Sequence, residues 1–245
     1  ADALGAGYEF FKGKIGEDEV IDFIEIPKIT VHKKYEWSDD TAMTYLTLKA
    51  INPSNSNQNF VDYELLSELF IDWYKGAPDK GMHTYNVLSQ TEAYKKKNPS
   101  EQEVMAKIAK EITLNNPMTA GNGGLMRIAA GLFPLHLGNY NDFEISRTAS
   151  ALNNLTHPHV DSERSCRLFL FLLHHCLIDP YREITSKKDF YNFLYYSMKN
   201  LEAGKLGRIV SNALDADLKS LNPNRYVVTT LSLAIGAIYQ TWDDG

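Results

Sequence analysis

Residues 161 to 177 stay apolar nearly all round at helical spacing and contain the unbroken run Leu168 to Leu173. A helix with no polar face has to be wrapped by others, so this stretch is expected at the centre of the fold. The chain supplies the wrapping in series. Val61, Leu65, Leu66, Leu69, Phe70, Trp73 and Tyr74 trace an amphipathic helix that stops at Gly76. Val104, Ile108 and Ile112 mark another, which Ser100-Glu101-Gln102-Glu103 is expected to open as a capping box. Phe143, Ile145, Ala149 and Leu152 give a third. Phe190, Phe193, Leu194 and Met198 give a fourth over about 188 to 201, and Val228, Leu231, Ile235, Ile238, Tyr239 and Trp242 mark the last. Residues 15 to 31 have strand-like composition without clean alternation and read as mostly irregular, with room for one short strand. The pattern predicts an all-α domain without internal repeats, and residues 1–245 are most simply a single domain.

Charge and cysteine usage exclude several classes. A net charge of −6 argues against sequence-independent nucleic-acid binding, and the basic triplet Lys95-Lys96-Lys97 beside Asn98-Pro99 reads as a solvated loop. No apolar run is long enough to span a bilayer. Cys166 and Cys176 are ten helical residues apart, about 15 Å, beyond disulfide reach, and read as buried free thiols of a reducing, cytoplasmic compartment. The chain opens on Ala1-Asp2-Ala3-Leu4-Gly5 and closes on Asp243-Asp244-Gly245 just after an apolar helix. Both ends read as trimmed.

The chemistry concentrates at Trp37-Ser38-Asp39-Asp40-Thr41-Ala42-Met43, with Ala42, Met43, Leu46 and Ala50 continuing behind it on one helical face. A hydroxyl followed by two adjacent carboxylates suits a helix N-terminus. It also suits a hard divalent cation held by Ser38, Asp39 and Asp40. A solvated cap is the commoner meaning of those four residues, and the motif alone leaves both open. Thr119-Ala120-Gly121-Asn122-Gly123-Gly124-Leu125 feeds free backbone N–H groups into a helix start, a fit for a phosphate or diphosphate, although a flexible linker has the same composition. Asp79 sits in the Pro78-Asp79-Lys80-Gly81 turn. Leu155-Thr156-His157-Pro158-His159 makes a helix-to-helix junction whose imidazoles can stack on a base or bond a ribose.

Taken in order, Ala-Asp-Ala-Leu-Gly with Glu9 after it, Trp-Ser-Asp-Asp-Thr-Ala-Met, Gly-Asn-Gly-Gly-Leu-Met-Arg and Leu-Thr-His-Pro-His closely resemble the ADP-ribosylglycohydrolase family, the bacterial dinitrogenase-reductase-activating type above all. The resemblance covers nearly the whole chain. It implies an orthogonal multi-helix all-α fold and a binuclear Mg²⁺ or Mn²⁺ centre, with Ser38, Asp39 and Asp40 among the metal ligands. It implies catalytic roles for Glu9, Asp39, Asp40 and Asp79, a diphosphate and ribose site at Gly121, Asn122, Gly123, Gly124 and Leu125, and His157 at the adenosine end. Two features depart from the pattern. Ser38 replaces the usual threonine, keeping the oxygen. The family's last Asp-Thr-Asp metal motif is absent, and Asp243 and Asp244 align with the turn before it.

The implied reaction removes ADP-ribose from a modified protein side chain by breaking the glycosidic bond at the ribose anomeric carbon. The expected partner is an ADP-ribosylated protein or ADP-ribose itself, acted on by a monomer, with neither nucleic acid nor membrane involved. The rival is a non-catalytic relative that binds ADP-ribose, blocks a partner or serves a structural role.

Overall fold

The computed structural model describes residues 2–8, 21–24, 31–52, 61–116, 118–133, 141–177, 184–201, 204–217 and 224–242. The order is α1 (Asp2–Gly5), α2 (Asp39–Lys49), α3 (Tyr63–Gly76), α4 (Met82–Lys97), α5 (Val104–Asn115), a 3₁₀ segment (Leu125–Gly131), α6 (Asp142–Asn154), α7 (Val160–Leu177), α8 (Lys187–Asn200), α9 (Gly204–Asp215) and α10 (Val227–Gln240). The described residues form no strand, only the isolated bridges Ile51 to Val61 and Gly121 to Tyr226. The fold is all-α, as the periodicity predicts.

Helix α7 is the centre. Ser162, Ser165, Cys166, Leu168, Leu170, Phe171, Leu172, His174 and His175 are all buried along it. Helices α6, α8, α9, α10 and the 3₁₀ segment pack against it. One continuous cluster of buried hydrophobic side chains runs from Met43 through Phe70, Leu88, Ile128, Leu152 and Leu170 to Ile235. Burying each such side chain contributes about 1.5–3 kcal/mol, so the cluster supplies the main driving force for this arrangement.

Helix starts are where the sequence expectations need correction. The Ser100–Glu103 capping box does not form. Glu103 stands at the N-cap in the left-handed region (φ 57°) and caps nothing with its side chain. Its backbone N–H is taken instead by Glu64 Oε1 of α3 at 2.5 Å. The capping boxes that do form are Asn141 with Glu144 on α6 and Ser186 with Asp189 on α8. Lys95, Lys96 and Lys97 are not loop residues but the last turn of α4, where cations oppose the negative end of the helix dipole. Lys95 also pairs with Glu64 at 2.7 Å. Of the two free cysteines, Cys166 is buried as expected and Cys176 is exposed, because α7 turns its last residues outward. Residues 21–24 and 31 carry no strand. The rest of that stretch, Glu9, and Asp243 and Asp244 lie outside the described residues.

Candidate active site

The site is built on the first turn of α2. Ser38 is its N-cap, and the hydroxyl accepts from the Asp40 backbone N–H at 3.3 Å. Two further backbone donors at this helix start are met by a residue far upstream in the chain. Asp2 Oδ2 accepts from the backbone N–H groups of Ser38 (3.0 Å) and Thr41 (3.1 Å), and Asp2 Oδ1 accepts from the Ser38 hydroxyl (2.7 Å). Asp2 therefore caps the helix from outside, with its charge at the positive end of the dipole. Burial raises its carboxyl, but the hydrogen bonds from Thr41 and Ser38 together outweigh burial and leave it below the ordinary aspartate value.

Asp40 is in the opposite situation. Its carboxyl lies on the wall of a cavity of about 480 Å³, which Asp2, Thr41, Thr44, Tyr45, Leu48 and Met126 also line. Solvent reaches the side chain from the cavity, yet protein crowds the carboxylate on its other sides. That burial, followed by repulsion from Asp2 and Asp79, pushes its pKa up to about 6. Two carboxyls of one cluster are thus driven apart, one held ionised and the other able to carry a proton near neutrality. Asp39, its neighbour, is half-buried.

Asp79 reaches the cluster from the turn between α3 and α4. Lys80 holds that turn by donating from Nζ to the carbonyls of Tyr74 and Ala77, both at 2.8 Å. Asp79 Oδ2 stands 3.6 Å from Nε2 of the buried His32. The same turn leads into α4, whose His83 donates from Nε2 to the Thr156 carbonyl at 2.7 Å. His83 packs edge-on against His157, ring centroids 4.6 Å apart. Asp79 and His157 are thereby tied to opposite ends of one short segment.

The glycine segment lies beside this pair. Leu125 and Met126 donate their N–H groups to the Asn122 carbonyl (2.9 and 3.2 Å), and Gly121 donates to Thr119 (2.8 Å). The bridge between Gly121 and Tyr226 turns the Asn122 N–H toward the Arg225 carbonyl, while the N–H groups of Gly123 and Gly124 have no backbone partner among the described residues. Two such N–H groups in succession suit an anion. The glycines themselves have a further cause. A Cβ on Gly123 would lie 2.8 Å from His157 Cε1, and one on Gly124 would overlap Asn153 Oδ1. They keep room for these side chains as much as for a ligand. The glycines run on into a 3₁₀ segment rather than the expected α-helix. Thr44 on α2 donates to the Met126 carbonyl at 3.4 Å, and Met126 lines the Asp40 cavity, which joins the two halves of the site.

The family model for ADP-ribosylglycohydrolase matches residues 1–244. This chain is an ADP-ribosylglycohydrolase family member. Among curated proteins no match is found. A second cavity of the ADP-ribosylglycohydrolase domain, about 390 Å³ between Tyr63, Lys107 and Asn154, shares no lining residue with the Asp40 cavity.

Sequence reasoning brings Ser38, Asp40, Asp79, Gly121 to Leu125 and His157 into consideration, but it misses Asp2, His32, His83, Arg127, Asn153 and Thr156. Asp2, Arg127 and Thr156 stand inside motifs that carry the family resemblance; His32, His83 and Asn153 have no local signal. No group of three or more His, Cys, Asp or Glu side chains among the described residues converges to hold a metal ion. Ser38 is engaged with Asp2 and with the Asp40 backbone. Ser38, Asp39 and Asp40 therefore do not by themselves make a binuclear centre. No described helix is long and apolar enough to cross a membrane.

Proposed function

We propose that the chain hydrolyses the glycosidic bond between ADP-ribose and a modified protein side chain. The observation that carries this reading is the Asp40 carboxyl, pushed up to about 6 on a cavity wall it shares with Asp2 and Met126, the latter on the segment that follows the Gly123 and Gly124 N–H groups. Cleavage at an anomeric carbon passes through an oxocarbenium-like state and needs one group to give or take a proton and others to face positive charge. Asp40 suits the first role. Asp79 suits the second, and Asp2, whose oxygens are committed to α2, keeps the local field negative. Glu9 and Asp39 join them on the strength of the family motifs. Gly123 and Gly124 would hold the diphosphate through their N–H groups, with Gly121, Asn122 and Leu125 shaping the turn and His157 meeting the nucleoside end. Mg²⁺ or Mn²⁺ dependence and the reducing, cytoplasmic setting belong to the same proposal, the latter on the free thiols.

A second reading has one observation in its favour, the lack of a convergent metal-binding group among the described residues. In that reading the chain binds ADP-ribose without turning it over. Incubation with ADP-ribosyl-arginine and ADP-ribosyl-serine peptides, with and without Mn²⁺, separates the two. Release of ADP-ribose that disappears in Asp40→Asn supports the hydrolase. Tight binding of ADP-ribose with no release from either peptide supports the binding protein.

A further inference from the structure

We infer that Arg127 and Thr156 are positioning residues that fix His157 in its Nε2-protonated tautomer, so that His157 serves the site as a hydrogen-bond donor and not as a proton shuttle. This rests on the reading of the glycine segment as the ADP-ribose site, whose acceptor oxygens and nitrogens the donor would meet.

Arg127 is fully buried on the 3₁₀ segment, and among the described residues no carboxylate pairs with it. An unpaired buried charge is costly, so its retention calls for a cause. Its guanidinium lies over the Phe70 ring, 5.1 Å from the centroid, and donates from Nη1 to the Leu152 carbonyl at 3.0 Å. Nη2 donates to Thr156 Oγ1 at 2.5 Å. A guanidinium only donates, so the threonine oxygen is an acceptor in this contact. Thr156 is itself fully buried, and its hydroxyl proton needs an acceptor of its own. Among the described residues the polar atom in reach is His157 Nδ1, at 2.8 Å. The chain of donation therefore runs from Arg127 to Thr156 to His157.

An imidazole that accepts at Nδ1 and is neutral carries its proton on Nε2. Burial keeps the ring neutral, helped by His83 and by the Arg127 charge, and holds its pKa well below the ordinary histidine value. The Nε2 edge faces the glycines: a Cβ on Gly123 would come within 2.9 Å of it, and one on Gly121 within 3.9 Å. Asn153 fixes the ring from behind, donating from Nδ2 to the His157 carbonyl at 2.7 Å while its Oδ1 accepts from Ser162 and Cys166.

The test uses ¹⁵N-histidine-labelled protein and long-range ¹H–¹⁵N correlation spectra, with ADP-ribose titration alongside. The wild type should show His157 protonated at Nε2 and unprotonated at Nδ1. Thr156→Val keeps the shape, removes the hydroxyl, and should give a mixed or reversed tautomer. Its ADP-ribose affinity should fall about 3- to 10-fold, the weight of one neutral hydrogen bond. Thr156→Ser should restore both. Arg127→Met is the more direct variant but risks the fold, so the threonine pair carries the decision. A proton on Nδ1 in the wild type, or an unchanged tautomer in Thr156→Val, overturns the assignment. An Nε2-protonated His157 in a protein that binds no ADP-ribose upholds the relay and overturns the functional reading instead.

Discussion

The carboxylate of Asp2 holds Ser38 twice, taking its backbone N–H at 3.0 Å and its hydroxyl at 2.7 Å, across 36 residues of chain. With Thr41 as a third donor, this contact sets the angle at which α2 enters the site. Asp2→Ala should lower the unfolding free energy by about 2 kcal/mol in urea titration, the upper end for a helix cap. The depressed Asp2 carboxyl makes the contribution pH-dependent. It is present above the ordinary aspartate value near 3.8 and is lost as pH falls through the lower folded value. Wild type and Asp2→Ala should therefore converge in strong acid and differ fully at neutrality.

Asp40 has the opposite linkage. Its folded pKa of about 6 lies above the ordinary 3.8, so across that window the folded protein binds more protons than the unfolded chain. Its contribution is favourable at low pH and is lost as pH rises to about 6 and beyond. Asp40→Asn removes both the ionisation and the repulsion by Asp2 and Asp79. In metal-free buffer at pH 7.5 the variant should melt at a higher temperature than wild type, and in the assay with Mn²⁺ it should lose hydrolysis. Equal melting temperatures at every pH would show that the carboxylate is not under strain.

The contrast between these two aspartates shows what the sequence could and could not reveal. Asp40 was legible because its neighbours Ser38 and Asp39 make a local pattern. The partners that set its chemistry, Asp2 and Asp79, come from other parts of the chain, and no spacing links them. The same holds for the fold. Helix α7 and the amphipathic α3, α6, α8 and α10 follow from apolar periodicity. Helix α4 does not, because Thr84 and Thr91 occupy two of its four buried positions and are polar by type. Helix α9 does carry the signal, with Leu206, Val210, Ala213 and Leu214 at helical spacing and buried, although Gly204 and Gly207 weaken it as a helix pattern. The expected capping box at Ser100 fails because a distant carboxylate, Glu64, claims the N–H that the local motif would have used.

His157 and His83 should make the protein acid-sensitive. Burial lowers both below the ordinary 6.5, and for His157 the neighbouring His83 and Arg127 charges lower it further. Below 6.5 the unfolded chain takes up protons that the folded protein refuses. Their contribution is thus complete above 6.5 and is lost as pH falls toward the folded values, at up to about 1.4 kcal/mol per pH unit for each group. His157→Gln should flatten the fall in stability between pH 6.5 and 5 relative to wild type. The comparison with the variant is needed because Asp40 acts with the opposite sign at the acid end of that range.

The glycine segment gives the sharpest separation between folding and binding. At Gly124 a Cβ would overlap Asn153 Oδ1, and that side chain is already committed to His157, Ser162 and Cys166. Gly124→Ala should therefore cost about 1–3 kcal/mol of stability through overpacking, before any ligand is considered. Gly123→Val would likewise meet His157 and Thr84, so its loss of binding would prove nothing about a cradle. Gly121 differs: its added Cβ would meet only the His157 ring at 3.9 Å, an ordinary contact, and its backbone needs no left-handed conformation. Gly121→Ala should melt within a degree or two of wild type, since a change of a few tenths of a kcal/mol shifts Tm by about that much in a chain this long. If the diphosphate lies on the Gly123 and Gly124 N–H groups, the methyl at Gly121 narrows its approach, and ADP-ribose affinity should drop about tenfold by calorimetric titration. Unchanged affinity in a normally folded Gly121→Ala protein would place the diphosphate elsewhere.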